Sequence, residues 1–169
     1  KFNIERKLRG KRIRALILVP TRELAVQVEA NVAQYGKYLN LSSMAMYGGV
    51  DSEAQKECLI GGVDILVATP GRLLDMVHQR ALHFDELEVL VLDEADRMLD
   101  LGFIDDINKI IDRLPGDRQS LLFSATLTDD VLFLAAHFSS DRINDAAVEI
   151  TISPKLTSFA IGCFHSCCP

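Results

Sequence analysis

The sequence predicts an α/β fold, an open, doubly wound, mainly parallel sheet with helices on both faces. Three observations lead there. Short runs such as RALILV (14–19), VDILVAT (63–69) and LEVLVLD (87–93) are almost continuously apolar. A strand with one wet face would alternate, whereas one buried on both faces need not. Stretches with helical spacing of apolar residues separate these runs, and strand–helix alternation is the pattern of parallel βαβ units. Glycine, proline and hydroxyl residues fall at the junctions, where caps and turns need them.

Each element has a local reason. After strand 14–19, the stretch 21–39 places Leu24, Val28, Val32, Tyr35 and Leu39 on one helical stripe, with Thr21 as N-cap and Glu23 in the first turn. SSMAMYGG (42–49) reads as a strand ending in glycines. SEAQKECL (52–59) reads as a helix stopped by Gly61-Gly62, with Cys58 expected in the core. Strand 63–69 leads to Pro70, suited to the first turn of the helix GRLLDMVHQ. Strand 87–93 precedes helical stretches running to about residue 113, with Met98 and Leu99 expected in the core. RQSLLFSAT (118–126) is a strand, LTDDVLFLAAHF (127–138) a helix capped by Thr128, and AAVEITI (146–152) a last strand.

The chain has 169 residues, enough for one domain with a sizeable core. No apolar run approaches the roughly 20 residues of a membrane span. The basic N-terminus lacks the apolar stretch of a signal peptide, so a soluble, cytoplasmic domain is expected. Net charge is −6, yet residues 1–14 carry seven cationic side chains against the single acid Glu5. That segment is expected to be a solvated terminus, with a phosphate-seeking arm as the sharper reading. Cys163, His165, Cys167 and Cys168 crowd one short stretch without a second ligand cluster, which is not the usual zinc pattern. The expected divisions are a basic segment 1–12, a domain 13–152 and a poorly ordered tail 153–169.

In sheets of this kind ligands bind beyond the carboxyl ends of the strands. The groups there are Thr21-Arg22-Glu23, Gly48-Gly49, Thr69-Pro70-Gly71-Arg72, Asp93-Glu94-Ala95-Asp96 and Ser124-Ala125-Thr126. Each alone has a plain reading as a cap, a turn or a strand end. Together on one rim, small residues, hydroxyls, arginines and acids suit phosphate and a metal. Asp93 ends a strand, where a carboxylate can hold Mg²⁺ directly or through water. Glu94, one step on, can orient or deprotonate a water attacking a phosphoryl group. Asp96 can reach neighbouring strand ends, with Ser124 and Thr126 as natural partners.

PTRELA (20–25), GG (48–49), TPGR (69–72), DEAD (93–96) and SAT (124–126) occur in the order and rough spacing of DEAD-box ATP-dependent RNA helicases. The resemblance covers roughly residues 13–138. The wider text, including GGVDILVATPGRLLD and VLDEADRMLDLGF, most resembles the bacterial RhlE-like branch. The resemblance implies a RecA-like P-loop NTPase domain using ATP and Mg²⁺. Asp93 would coordinate Mg²⁺–ATP and Glu94 would activate the hydrolytic water. Asp96, Ser124 and Thr126 would couple hydrolysis to strand separation. Thr21, Arg22, Gly48, Gly49, Thr69, Gly71 and Arg72 would line an RNA path through sequence-independent backbone contacts.

The family pattern also implies a glycine-rich phosphate loop ahead of PTRELA. The residues before Pro20 contain no G-x-x-x-x-G-K-[ST] run. RGKRIR (9–14) has Gly10-Lys11 but no earlier glycine and no following serine or threonine. The chain is therefore expected to be an incomplete first RecA-like domain, lacking its first strand and phosphate loop and separated from the second such domain. Alone it is expected not to hydrolyse ATP. The alternative expectation is a non-catalytic remnant that binds RNA backbone or docks on a partner.

Overall fold

The structure is a computed structural model that describes residues 13–140, 148–152 and 159–160, with backbone alone for 138–140 and the last two segments. The elements run β1 Ala15–Leu18, α1 Arg22–Gly36, β2 Ser43–Met46, α2 Ser52–Gly61, β3 Ile65–Ala68, α3 Pro70–His78, β4 Val89–Leu92, α4 Ala95–Asp100, α5 Ile104–Ile111, β5 Gln119–Ser124, α6 Asp129–Ser140, β6 Val148–Ile152 and β7 Phe159–Ala160. The expected alternation is borne out, with most strands a residue or two shorter at each end.

The sheet order is β2-β3-β1-β4-β5-β6-β7. All neighbours from β2 to β6 are parallel, and β7 is antiparallel to β6. β1 sits between β3 and β4, with Leu16 level with both Leu66 and Leu90. The chain builds outward from β1 to one side, returns, and then builds to the other. The reversal falls between β1 and β4, and crevices open at such switch points.

Local chemistry fixes the helix ends. The Thr21 hydroxyl accepts from the Leu24 N–H at 3.3 Å, the expected cap of α1. The Thr128 hydroxyl accepts from the Val131 N–H at 3.3 Å and opens α6. Gly62, at φ 92°, stops α2 in a conformation that favours glycine. Pro70 occupies the first turn of α3, where its missing N–H costs nothing.

Strand residues divide by parity. Leu16, Leu18, Leu66, Leu90, Leu92 and Leu122 are fully buried on one face. Against them pack Leu73 and Met76 of α3, Met98 of α4, Ile107 and Ile110 of α5, and Val131 and Leu134 of α6. The opposite face carries Val19, Val67 and Ala25, flanked by Ile17, Leu24, Val28 and Tyr47. There α1 lies against β2 and β3. Farther along that face Val89, Val91, Leu121 and Phe123 are half-buried.

Three packing expectations need correction. Cys58 is exposed, not in the core. The face α2 turns inward is marked by Gln55, buried, and Leu59, which packs on the core four residues later. Tyr35 and Leu39 are 79% and 64% exposed, because α1 covers the sheet only with its first turns and ends at Gly36, short of Leu39. Met98 is buried as expected and Leu99 packs against the core. Segment 1–12, the three C-terminal cysteines and His165 lie outside the described residues. Of segment 153–169, the structure describes only β7.

The difference between the two faces is measurable. Leu92→Ala should cost about 2–5 kcal/mol in urea denaturation, as for a fully enclosed leucine. Val91→Ala, its neighbour on the half-covered face, should cost under about half as much. Equal costs would show that the two faces are equally packed.

Candidate functional site

The parallel register carries five chain segments to one rim. β1, β3 and β4 end level with one another, because Leu18 stands opposite both Ala68 and Leu92. The Asp93 N–H donates to the Leu18 carbonyl at 3.0 Å, and the Thr69 N–H to the Met46 carbonyl at 3.0 Å. The segments beginning at Thr21, Gly48, Thr69, Asp93 and Ser124 therefore start from adjacent strand ends, as the sequence requires.

The three acids of DEAD part company at once. Asp93 prolongs the line of β4 and is half-buried. Its Oδ1 accepts the Glu94 N–H at 2.9 Å. Burial pushes the Asp93 carboxyl up, the Glu94 N–H draws it back, and the Glu94 charge pushes it up again, leaving it above the usual carboxylate range. Glu94 adopts a left-handed backbone, φ 51° and ψ 51°. A non-glycine residue held there is strained, a condition that clusters at functional sites. Its Oε2 accepts from Arg97 Nη1 at 3.1 Å, one turn along α4.

Asp96 turns toward β5. Its Oδ2 accepts the Thr126 N–H at 2.9 Å and the Thr126 hydroxyl at 2.8 Å. Ser124, buried, accepts the Asp96 N–H at 3.3 Å and donates to the Thr126 carbonyl at 2.7 Å. Burial pushes the Asp96 carboxyl up, but hydrogen bonds from the Thr126 side chain and from the backbone of Arg97, Ala125 and Thr126 outweigh it and hold the group below its ordinary value. The expected grouping of Asp96, Ser124 and Thr126 is thus a closed hydrogen-bonded ring across two strand ends.

A second cluster stands on the β1–β3–β2 side. Gly48 and Gly49 are exposed, and Gly49 has φ 83°, which favours glycine. A Cβ placed on Gly49 would lie 3.9 Å from Arg22 Nη1, and one on Gly48 or Gly71 would meet nothing within 4 Å. Packing within the protein does not require small residues at 48 and 71. Arg72 Nη2 donates to the Val50 carbonyl at 2.9 Å, closing the far end of the glycine turn. Arg22, exposed, pairs through Nε with Glu23 at 2.7 Å. Thr69 precedes α3 without a side-chain cap bond. Two guanidinium groups therefore flank an exposed diglycine turn.

Reading the sequence missed Arg97 and Gln55. Arg97 carries the (i, i+3) spacing from Glu94 that brings helix side chains together. Gln55 stands four residues before Leu59, the spacing of one helix face.

The comparisons with known proteins agree with this arrangement. The model of the DEAD/DEAH box helicase family matches residues 2–133, and the chain belongs to that family. Over 131 residues it is 53% identical to the ATP-dependent RNA helicase RhlB of Pseudomonas syringae pv. tomato, covering 76% of this chain and 33% of that protein. It is 43% identical over 141 residues to the DEAD-box ATP-dependent RNA helicase CshA of Streptococcus pneumoniae serotype 4, covering 82% and 27%. The crystal structure of the yeast DEAD-box splicing factor Prp28 superimposes with a TM-score of 0.72 at 37% identity, over 76% of this chain and 31% of that one. The chain spans a third or less of these relatives, and its fold is the RecA-like one. Among the described residues no helix is long and apolar enough to cross a membrane.

Two pH effects follow. Asp96 has a lowered carboxyl in the fold, so its contribution is present above the unfolded value and lost as pH falls through the folded one. Thr126→Ala should cost on the order of 1 kcal/mol at pH 7, with the deficit vanishing in acid. Asp93 has the opposite sign, its charge opposing the fold. Asp93→Asn should raise the melting temperature at pH 7 and lose that advantage as pH drops below the carboxylate range. Thermal unfolding across a pH series checks both.

Proposed function

We propose that the chain is part of an ATP-dependent RNA helicase that couples ATP hydrolysis to unwinding or remodelling RNA. The observation that carries the reading is the division of one rim into two neighbouring chemistries. One is an exposed diglycine turn between two guanidiniums, and the other is a strand-end carboxylate beside a strained glutamate. In this reading residues 13–152 are the greater part of a first RecA-like domain.

On the RNA side Thr21, Arg22, Gly48, Gly49, Thr69, Gly71 and Arg72 hold phosphates. Bare glycines let a phosphate approach the backbone, and a guanidinium binds it bidentately. The Arg22–Glu23 pair is exposed, so a phosphate can compete for the guanidinium at little cost. These contacts touch no base edges and are indifferent to sequence.

The residues at Asp93 fit a magnesium nucleotide. Its carboxyl is pushed up by burial and by Glu94, so a cation there would relieve an uncompensated charge. Mg²⁺ prefers one or two carboxylates together with waters and phosphates, and so does not need a cluster of protein ligands. Bound Mg²⁺–ATP supplies the phosphoryl group that water attacks. Asp93 would hold the ion, and Glu94 would orient that water and take its proton on the carboxylate. The ring formed by Asp96, Ser124 and Thr126 would tie α4 to the end of β5, so that a shift at the acids reaches the neighbouring segment.

Within these 169 residues there is no G-x-x-x-x-G-K-[ST] run to cradle the phosphates. The chain alone should therefore release no more phosphate from Mg²⁺–ATP than its Glu94→Gln variant, with or without single-stranded RNA. It should still bind RNA weakly, and Arg22→Ala with Arg72→Ala should flatten the dependence of log affinity on log salt by about two. RNA-stimulated release abolished by Glu94→Gln would show that other residues of the chain hold the nucleotide. Unchanged salt dependence would remove the arginines from the RNA path.

A further inference from the structure

Gln55 is the buried residue of α2 in a helix that otherwise lies largely at the surface. Its Nε2 donates to the Tyr47 carbonyl at 3.2 Å. Its Oε1 is shut off from solvent without a partner. A buried acceptor left unpaired destabilises a fold, and an apolar side chain of the same length would avoid that penalty. Packing alone therefore argues for methionine or leucine at this position, and the bond to Tyr47 is what glutamine adds.

Tyr47 is the residue before Gly48-Gly49. At the other end of the turn Arg72 holds the Val50 carbonyl at 2.9 Å. The turn is pinned at both ends by side chains, one from α2 and one from α3. Little holds the two glycines between those ends. Among the described residues neither glycine makes a backbone hydrogen bond in a turn or loop. Nor would a Cβ on either meet any atom within 4 Å except Arg22 Nη1 beside Gly49. Two exposed glycine N–H groups are thus unengaged, on a turn whose backbone is free to rotate unless its ends are fixed.

We propose that Gln55 is a positioning residue for RNA. By holding the Tyr47 carbonyl from beneath, it fixes the glycine turn so that the Gly48 and Gly49 amides present together to a backbone phosphate. Arg72 has two duties in this arrangement, bracing the turn and standing beside it as a cation. Gln55 has only the first, since it is neutral and buried. The inference rests on the reading of the rim as an RNA-backbone site.

The difference in charge provides the test. Gln55→Met keeps the length of the side chain, removes the unpaired Oε1 and takes from the Tyr47 carbonyl its donor. Binding of single-stranded oligouridylate by the 169-residue chain is measured over a salt series, beside the amide resonances of Gly48 and Gly49 and the melting temperature. The variant should melt close to the parent chain, because the loss of the unpaired Oε1 offsets the donor lost by the Tyr47 carbonyl. Its glycine amides should shift, and its affinity should fall several-fold to roughly tenfold, the effect of one lost hydrogen bond. The slope of log affinity against log salt should not change, because no cation has been removed. Arg22→Ala is the contrast and should flatten that slope by about one. Unmoved glycine amides, undiminished affinity or a flattened slope in Gln55→Met would each overturn the role of Gln55 while leaving the RNA reading intact. Failure of the unsubstituted chain to bind the oligonucleotide would overturn both. Gln55→Leu should repeat the result, and a difference between the two variants would assign the loss to packing.

Discussion

The rim depends on the position of β1 between β3 and β4. Backbone hydrogen bonding sets Leu18 level with Ala68 on one side and Leu92 on the other. Side-chain alternation makes this register hard to slip, since a shift of one residue would turn Leu16 and Leu18 out of the main core and bring Ile17 into it. With the register fixed, the residues that follow the three strands emerge at the same height. Arg22 can then approach Gly49, and Asp93 can donate to Leu18. The backbone brings the segments together before any side chain reaches across them.

The crowding of Asp93, Glu94 and Asp96 looks unfavourable in one dimension and is resolved in three. Asp93 continues the strand line, Glu94 is thrown outward by its left-handed backbone onto Arg97, and Asp96 enters the helix facing Thr126. The two aspartates have different neighbourhoods, so their proton affinities separate. Asp93 is pushed above the ordinary range and Asp96 held below it. Pushing adjacent carboxyl groups apart in this way lets neighbouring acids of one type perform different tasks. The strain at Glu94 is the conformational cost of the arrangement.

Much of this was legible in the sequence. Thr21, Thr128, Gly62 and Pro70 act through local backbone chemistry, so their roles could be stated from neighbours alone. The near-continuous apolar strands pointed correctly to a parallel sheet. The errors came where tertiary context decides. The stripe through Tyr35 and Leu39 continues the spacing of α1 beyond the part that meets the sheet, and periodicity carries no information about where contact ends. A lone cysteine in a helical pattern suggests the core, but Cys58 is exposed because the inward face of α2 is set by Gln55 and Leu59. For the site, strand-end position was enough to gather the candidates. The hydrogen-bonded ring among Asp96, Ser124 and Thr126 joins residues some thirty apart, and the conformation of Glu94 has no local sequence signal.

The central position of β1 also sets an order on folding. Its partners lie far along the chain, beginning at Ile65 and Val89. On a ribosome, residues 15–18 would wait for about seventy more to be made before both edges were paired. Until β3 follows, this apolar strand lacks both neighbours, and until β4 follows it lacks one, the condition that favours pairing with other chains. Contacts this distant in sequence also slow the closing of the sheet once synthesis is complete. Among the described strands, the one that aligns the rim thus waits longest for both its neighbours, which places a need for chaperoning at β1.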